Sequence, residues 1–178
     1  MATHTVLIPN KTVAKDVDAY VRPAICASAL DNGSVFQLLT KSGTTGESEV
    51  WNATAPTSSS AANVWMAGEP ELPFATVGTN RYNTLGTIRD FYNSACAVFT
   101  AFKPQKGDII TMTPEAFDSS TTAAYAITVT GAFTLEWNAT APSSGFGLKY
   151  LGSKYIPFTD GSISGSRLLG FECEVYSV

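Results

Sequence analysis

The sequence predicts an all-β chain: a mainly antiparallel β-barrel or sandwich with one or two short helices and an extended N-terminal segment. Three observations predict it. The hexapeptide Trp-Asn-Ala-Thr-Ala-Pro occurs twice, at Trp51–Pro56 and Trp137–Pro142, each copy followed by hydroxyl residues. It joins a large aromatic suited to a half-buried strand to a Pro that ends ladder pairing, so both copies read as one strand-end-and-turn device used twice. An old duplication of a β-unit and a convergent turn account for it about equally well. Next, Tyr125, Ile127, Val129, Phe133, Leu135 and Trp137 share one parity, as do Leu169, Phe171, Cys173 and Val175, which is the period of a strand with one buried face. Finally, hydrophobic residues make up 44% and charged residues only 15%, against a usual charged share of about a quarter. Ser, Thr, Gly and Ala fill the gap, which suits short strands, tight turns and a surface that is polar but lightly charged.

Residues 1–24 form an N-terminal arm or edge segment, with Val6-Leu7-Ile8 as a short apolar run. The Val13/Val17/Tyr20/Val21 spacing fits a short helix stopped near Pro23. This segment is read either as an edge strand plus helix of the main domain or as an arm that orders on a neighbour. Residues 25–178 form one β-rich domain, as a single unit or as two packed β-subunits. Asn32-Gly33 is a tight-turn signal that launches Val35–Leu39 as a strand. Ser42–Ser48 and Thr57–Ala62 read as exposed loops, and Val64–Ala67 as a buried strand ending at Gly68. Gly78–Arg89 reads as a long loop, while Phe91–Phe102 is apolar and ambiguous between strand and buried helix. Lys103–Asp108 is a turn before the strand Ile109–Met112. Thr113-Pro114-Glu115-Ala116-Phe117 is a one-turn helix with Thr113 as N-cap and Pro114 at the first helical position. Gly131 marks a bulge or bend in the long alternation.

A net charge of −4 without a Lys/Arg cluster argues against nucleic acid. No run approaches the roughly 18 apolar residues of a membrane span. The first ten residues lack the basic and long apolar regions of a signal peptide, so synthesis in a reducing cytoplasm is expected. Cys26, Cys96 and Cys173 then read as buried free thiols.

Residues that point to chemistry are sparse. His4 is the only imidazole and lies in the N-terminal tip, whereas a Ser-His-Asp or Cys-His arrangement needs an ordered His held by a third group, and no His/Cys cluster has zinc-ligand spacing. No catalytic, cofactor-binding or metal residue is therefore assigned. Asp16/Asp18, Glu47/Glu49, Glu69/Glu71 and Glu172/Glu174 each place two carboxylates on one strand face, read chiefly as solvated edges that discourage stray pairing. A carboxylate-dependent hydrolase needs two of them facing each other across a cleft. Gly145-Phe146-Gly147-Leu148-Lys149 lacks phosphate-loop spacing and reads as a plain loop. The Trp and Tyr residues suit either core packing or a sugar-stacking platform, with Trp65 the one whose position decides.

The order Asp31-Asn32-Gly33-Ser34-Val35-Phe36, Val50-Trp51, Val64-Trp65-Met66-Ala67, Arg89-Asp90-Phe91-Tyr92, Phe102, Gly107-Asp108-Ile109-Ile110 and Leu169–Val175 resembles small proteins encoded beside the major capsid gene of tailed bacteriophages. Such proteins are head decoration, or cement, proteins. The resemblance covers roughly residues 20–178. It implies a non-enzymatic virion structural protein that binds the outside of a capsid and stabilises capsomer contacts. Its partner would be the major capsid protein, with a homo-oligomer, a trimer by geometry, on the capsid surface and no cofactor. An extended N-terminal segment can add a strand to a capsid edge, which makes Val6, Leu7, Ile8, Val13 and Val17 the candidate capsid-contact residues. The alternative is a carbohydrate-binding β-module displayed on the virion or cell surface.

Overall fold

The computed structural model describes Thr5, Leu7 and residues 20–43, 49–68, 74–77, 80–83, 91–119, 121–158 and 166–178. The chain is all-β. Its strands are β1 (Val21–Ile25), β2 (Val35–Lys41), β3 (Trp51–Thr54), β4 (Val64–Ala67), β5 (Phe74–Val77), β6 (Asn80–Asn83), β7 (Val98–Phe102), β8 (Ile109–Met112), β9 (Tyr125–Thr128), β10 (Leu135–Asn138), β11 (Gly147–Phe158) and β12 (Ser166–Ser177). The order β1-β3-β2-β4-β7 closes a five-stranded barrel, antiparallel except where β1 meets β3. A second, antiparallel sheet runs β10-β9-β11-β12-β8, and β5 pairs with β6.

Two cores follow from strand alternation. Phe36, Trp65, Ala67, Phe99 and Ala101 fill the barrel with Ala24, Cys26 and Leu30. Val35, Val64 and Met66 point the other way, against Ile110, Met112, Leu135, Leu148, Phe171, Cys173 and Val175 of the second sheet. The barrel wall β2–β4 therefore serves both cores. That is why Val64-Trp65-Met66-Ala67 is apolar at every position rather than at alternate ones.

The Asn32-Gly33 turn forms as expected, with Gly33 at φ +84°. The segment Phe91–Phe102 resolves to strand β7 and the bridge Leu30–Asn93, with no helix. The one-turn helix is a 3-10 turn, Pro114–Ala116, whose Thr113 side chain makes no cap bond. Part of the expected loop at 78–89 is strand β6, and β11 begins inside the expected loop at Gly147. Residues 44–48, 78–79 and 84–89, also read as loop, lie outside the described residues.

The alternation over Tyr125–Trp137 is two strands rather than one bent strand, and its buried parity changes between them. In β9 the buried residues are Ala126 and Thr128; in β10 Leu135 is buried and Trp137 packs on the same core. The register Thr128–Leu135 and Ala126–Trp137 explains the switch. An even number of residues separates Thr128 from Leu135, so facing positions have opposite parity. Phe133, expected inward with Trp137, instead packs on the barrel core. Thr128 is tolerated inside because its hydroxyl donates to the Ser58 and Ser59 carbonyls, 3.1 Å from each.

Those bonds dock the Ser-rich loop Thr57–Ala62, which is exposed at Thr57, Ser59, Ser60 and Ala62 as expected but buries Ala61 in the core between the sheets. Phe146 donates its N–H to the Ala61 carbonyl at 2.9 Å, and the preceding Gly145 holds φ +75° with the Ser60 carbonyl 2.4 Å from where a Cβ would sit. Gly145→Ala should cost about 2–3 kcal/mol through strain and overlap together, read from the urea midpoint. A neutral result would mean the loop yields freely.

Candidate functional site

Of the residues expected to contact a capsid, Val6, Ile8, Val13 and Val17 lie outside the described residues, as does His4. Leu7 is described, and it is not available to a partner. It is 6% exposed, bridges antiparallel to Met112 and belongs to the core between the sheets. Beside it the Thr5 N–H donates to the Asp31 carboxylate at 3.0 Å. The expected boundary after residue 24 cuts through β1, whose Ala24 is fully buried in the barrel, and Val21, expected on a helix, is the first residue of that strand.

Of the acidic pairs only Glu172/Glu174 lies wholly within the described residues, and of Glu47/Glu49 only Glu49 does. Glu49 pairs with Lys41 at 2.9 Å, and Glu172 pairs with Lys154 across the β11–β12 ladder. Among the described residues no three His, Cys, Asp or Glu side chains come together as a metal site, and no helix is long and apolar enough to cross a membrane. Burial, with a smaller contribution from the Glu172 charge, pushes the Cys173 thiol up to about 12, which removes its nucleophilicity at neutral pH. Cys26 is buried as expected, but Cys96 is exposed.

The three tryptophans are committed differently. Trp65 is 6% exposed inside the barrel, so it faces no open groove. Trp137 stacks on Phe117 with centroids 4.3 Å apart, meets Tyr150 and Phe171 edge-on, and donates its indole N–H to the Ser119 carbonyl at 3.0 Å. Trp51 is half-buried, with the Arg22 guanidinium 4.6 Å from its centroid and 5.2 Å from that of Trp65. Arg22 and the two indoles thus form a cation–π cluster on the barrel.

One apolar surface among the described residues is the outside of β1 and β7. Ala24, Phe99 and Ala101 point inward, so Val21, Pro23, Ile25, Val98, Thr100 and Phe102 point outward. The register sets Pro23 beside Thr100 and Ile25 beside Val98, with Val21 beside Phe102, which packs on the core between the sheets; the open part, Val21, Pro23, Ile25, Val98 and Thr100, carries no charged side chain. Val98 is 47% and Val21 37% exposed. Pro23 is admitted because β1 pairs with β3 only at Ala24 and Ile25, beyond the residue that has no N–H to donate. The sequence reading missed this face because it divided its two strands between an arm and an ambiguous apolar run. The readable signal was the period-two run Val21, Pro23, Ile25.

No family model, curated protein or solved structure matches this chain.

Proposed function

We propose that the chain is a non-enzymatic structural protein that binds the outside of a phage capsid, against the major capsid protein, and stabilises contacts between capsomers. The observation that carries this reading is the uncharged, apolar outer face of β1 and β7. Covering apolar surface yields about 25 cal/mol per Å², and a face without charges has little to desolvate. The low charged fraction of the whole chain, 15%, supports docking in the same way. Each bound copy then raises the cost of separating the capsomers beneath it, by mass action.

The test is co-sedimentation with undecorated capsids assembled from the major capsid protein of the same genome. Val98→Glu should abolish binding while changing stability by less than about 1 kcal/mol, because the side chain is half exposed already. Undiminished sedimentation of a folded Val98→Glu variant would remove this face from the interface. The carbohydrate-binding alternative would rest on Trp51, since Trp65 and Trp137 are committed to the cores and Arg22 already covers the Trp51 ring. A glycan array separates the two readings.

A further inference from the structure

Two of the three thiols are brought together by the main chain. The antiparallel pairing of β1 with β7 continues past both strand ends to the Leu30–Asn93 bridge, where each residue's N–H donates to the other's carbonyl, at 2.9 and 2.7 Å. Between these two anchored points the Cys96 N–H donates to the Cys26 carbonyl at 2.8 Å. A bond of that kind holds the two Cα atoms roughly 5–6 Å apart, within the span of a disulfide. Cys26 belongs to the barrel core and Cys96 is exposed, so solvent reaches Cys96 first.

Cys96 also occupies a position where a side chain is unusual. Ser94–Ala97 is a turn closed by the Ala97 N–H on the Ser94 carbonyl at 3.1 Å, and Cys96 is its third residue with φ +58°. Turns with a positive φ only at that place take Gly or Asn by preference, so a Cys is held there at a strain cost.

We propose that Cys26 and Cys96 are a redox-modifiable pair, forming an intramolecular disulfide when the folded chain meets a low-molecular-weight disulfide such as oxidised glutathione. The exposed Cys96 thiolate attacks the oxidant and releases one glutathione thiolate, leaving a mixed disulfide. The Cys26 thiolate then attacks the Cys96 sulfur and releases the second. Two thiol protons and two electrons leave the protein, and one oxidised glutathione becomes two reduced ones. The loop so closed contains β2 through β6, and it ties the barrel's first strand to its last. A chain synthesised in reduced form would gain this staple on reaching an oxidising medium.

The experiment treats the native full-length chain with oxidised glutathione, quenches with acid, unfolds, alkylates with N-ethylmaleimide and maps peptides by mass. The peptides carrying Cys26 and Cys96 should be linked and Cys173 fully alkylated. The melting temperature of the oxidised chain should rise by roughly 5 °C and return on reduction. Cys96→Ser should leave Cys26 fully alkylated after the same treatment. Cys26→Ala should retain glutathione on Cys96; because its position is buried, the Cys96→Ser control stands even where that variant fails to fold. Stable glutathione on wild-type Cys96 with Cys26 still alkylated, a link to Cys173, or no oxidation of the native chain would each overturn the proposal.

Discussion

Deleting Met1 to Asp18 should lower the melting temperature by roughly 10 °C, and Leu7→Ala alone should cost about 2–4 kcal/mol. An arm that orders only on a neighbour would leave the melting temperature unchanged on deletion. Two residues favour the loss instead. Leu7 is buried against Met112 and the rest of the core between the sheets, so its loss leaves a void there. Removal of Thr5 deprives the Asp31 carboxylate of a backbone donor beside the Asn32-Gly33 turn. Calorimetry on the two variants decides the matter. An unchanged melting temperature on deletion would show that the core closes without Leu7.

Trp137→Ala should cost about 3–5 kcal/mol, and Trp51→Ala only about 1–2 kcal/mol, although both residues open the same hexapeptide. Trp137 touches three aromatic rings, so truncation opens a cavity among them, while the exposed Ser119 carbonyl exchanges the indole N–H for water. The half-buried Trp51 loses chiefly its stacking with Arg22 and Lys41. Chemical denaturation of the two variants checks the ratio. Equal costs would mean that the two copies play equivalent structural parts.

The β class, the Asn-Gly turn, the buried strand β4 and the inward parity of Phe171, Cys173 and Val175 were all legible in the sequence, because each rests on a local cue. A turn residue, a period of two or a continuous apolar run needs no knowledge of what lies opposite. The parity of β9 was not legible, since it depends on how many residues the hairpin connection takes up. Nor was the outer face of β1 and β7, whose strands are far apart in sequence and meet only when the barrel closes. The pairing of Cys26 with Cys96 was hidden for the same reason.

The repeated hexapeptide separates the two levels most sharply. Sequence alone determined that Trp-Asn-Ala-Thr is compatible with a strand and that the Pro after it stops pairing. Tertiary structure decided what each copy became. The first copy is extended from Trp51 to Thr54, paired to β1 and β2 on its two sides within the barrel. The second stops pairing at Asn138, at the sheet edge, where the Asn138 side chain accepts the Thr140 N–H at 3.0 Å and turns the chain. Backbone donors and acceptors in a strand must find partners. Where neighbouring strands supply them the segment stays extended, and where only one neighbour exists a side chain captures the backbone and bends it.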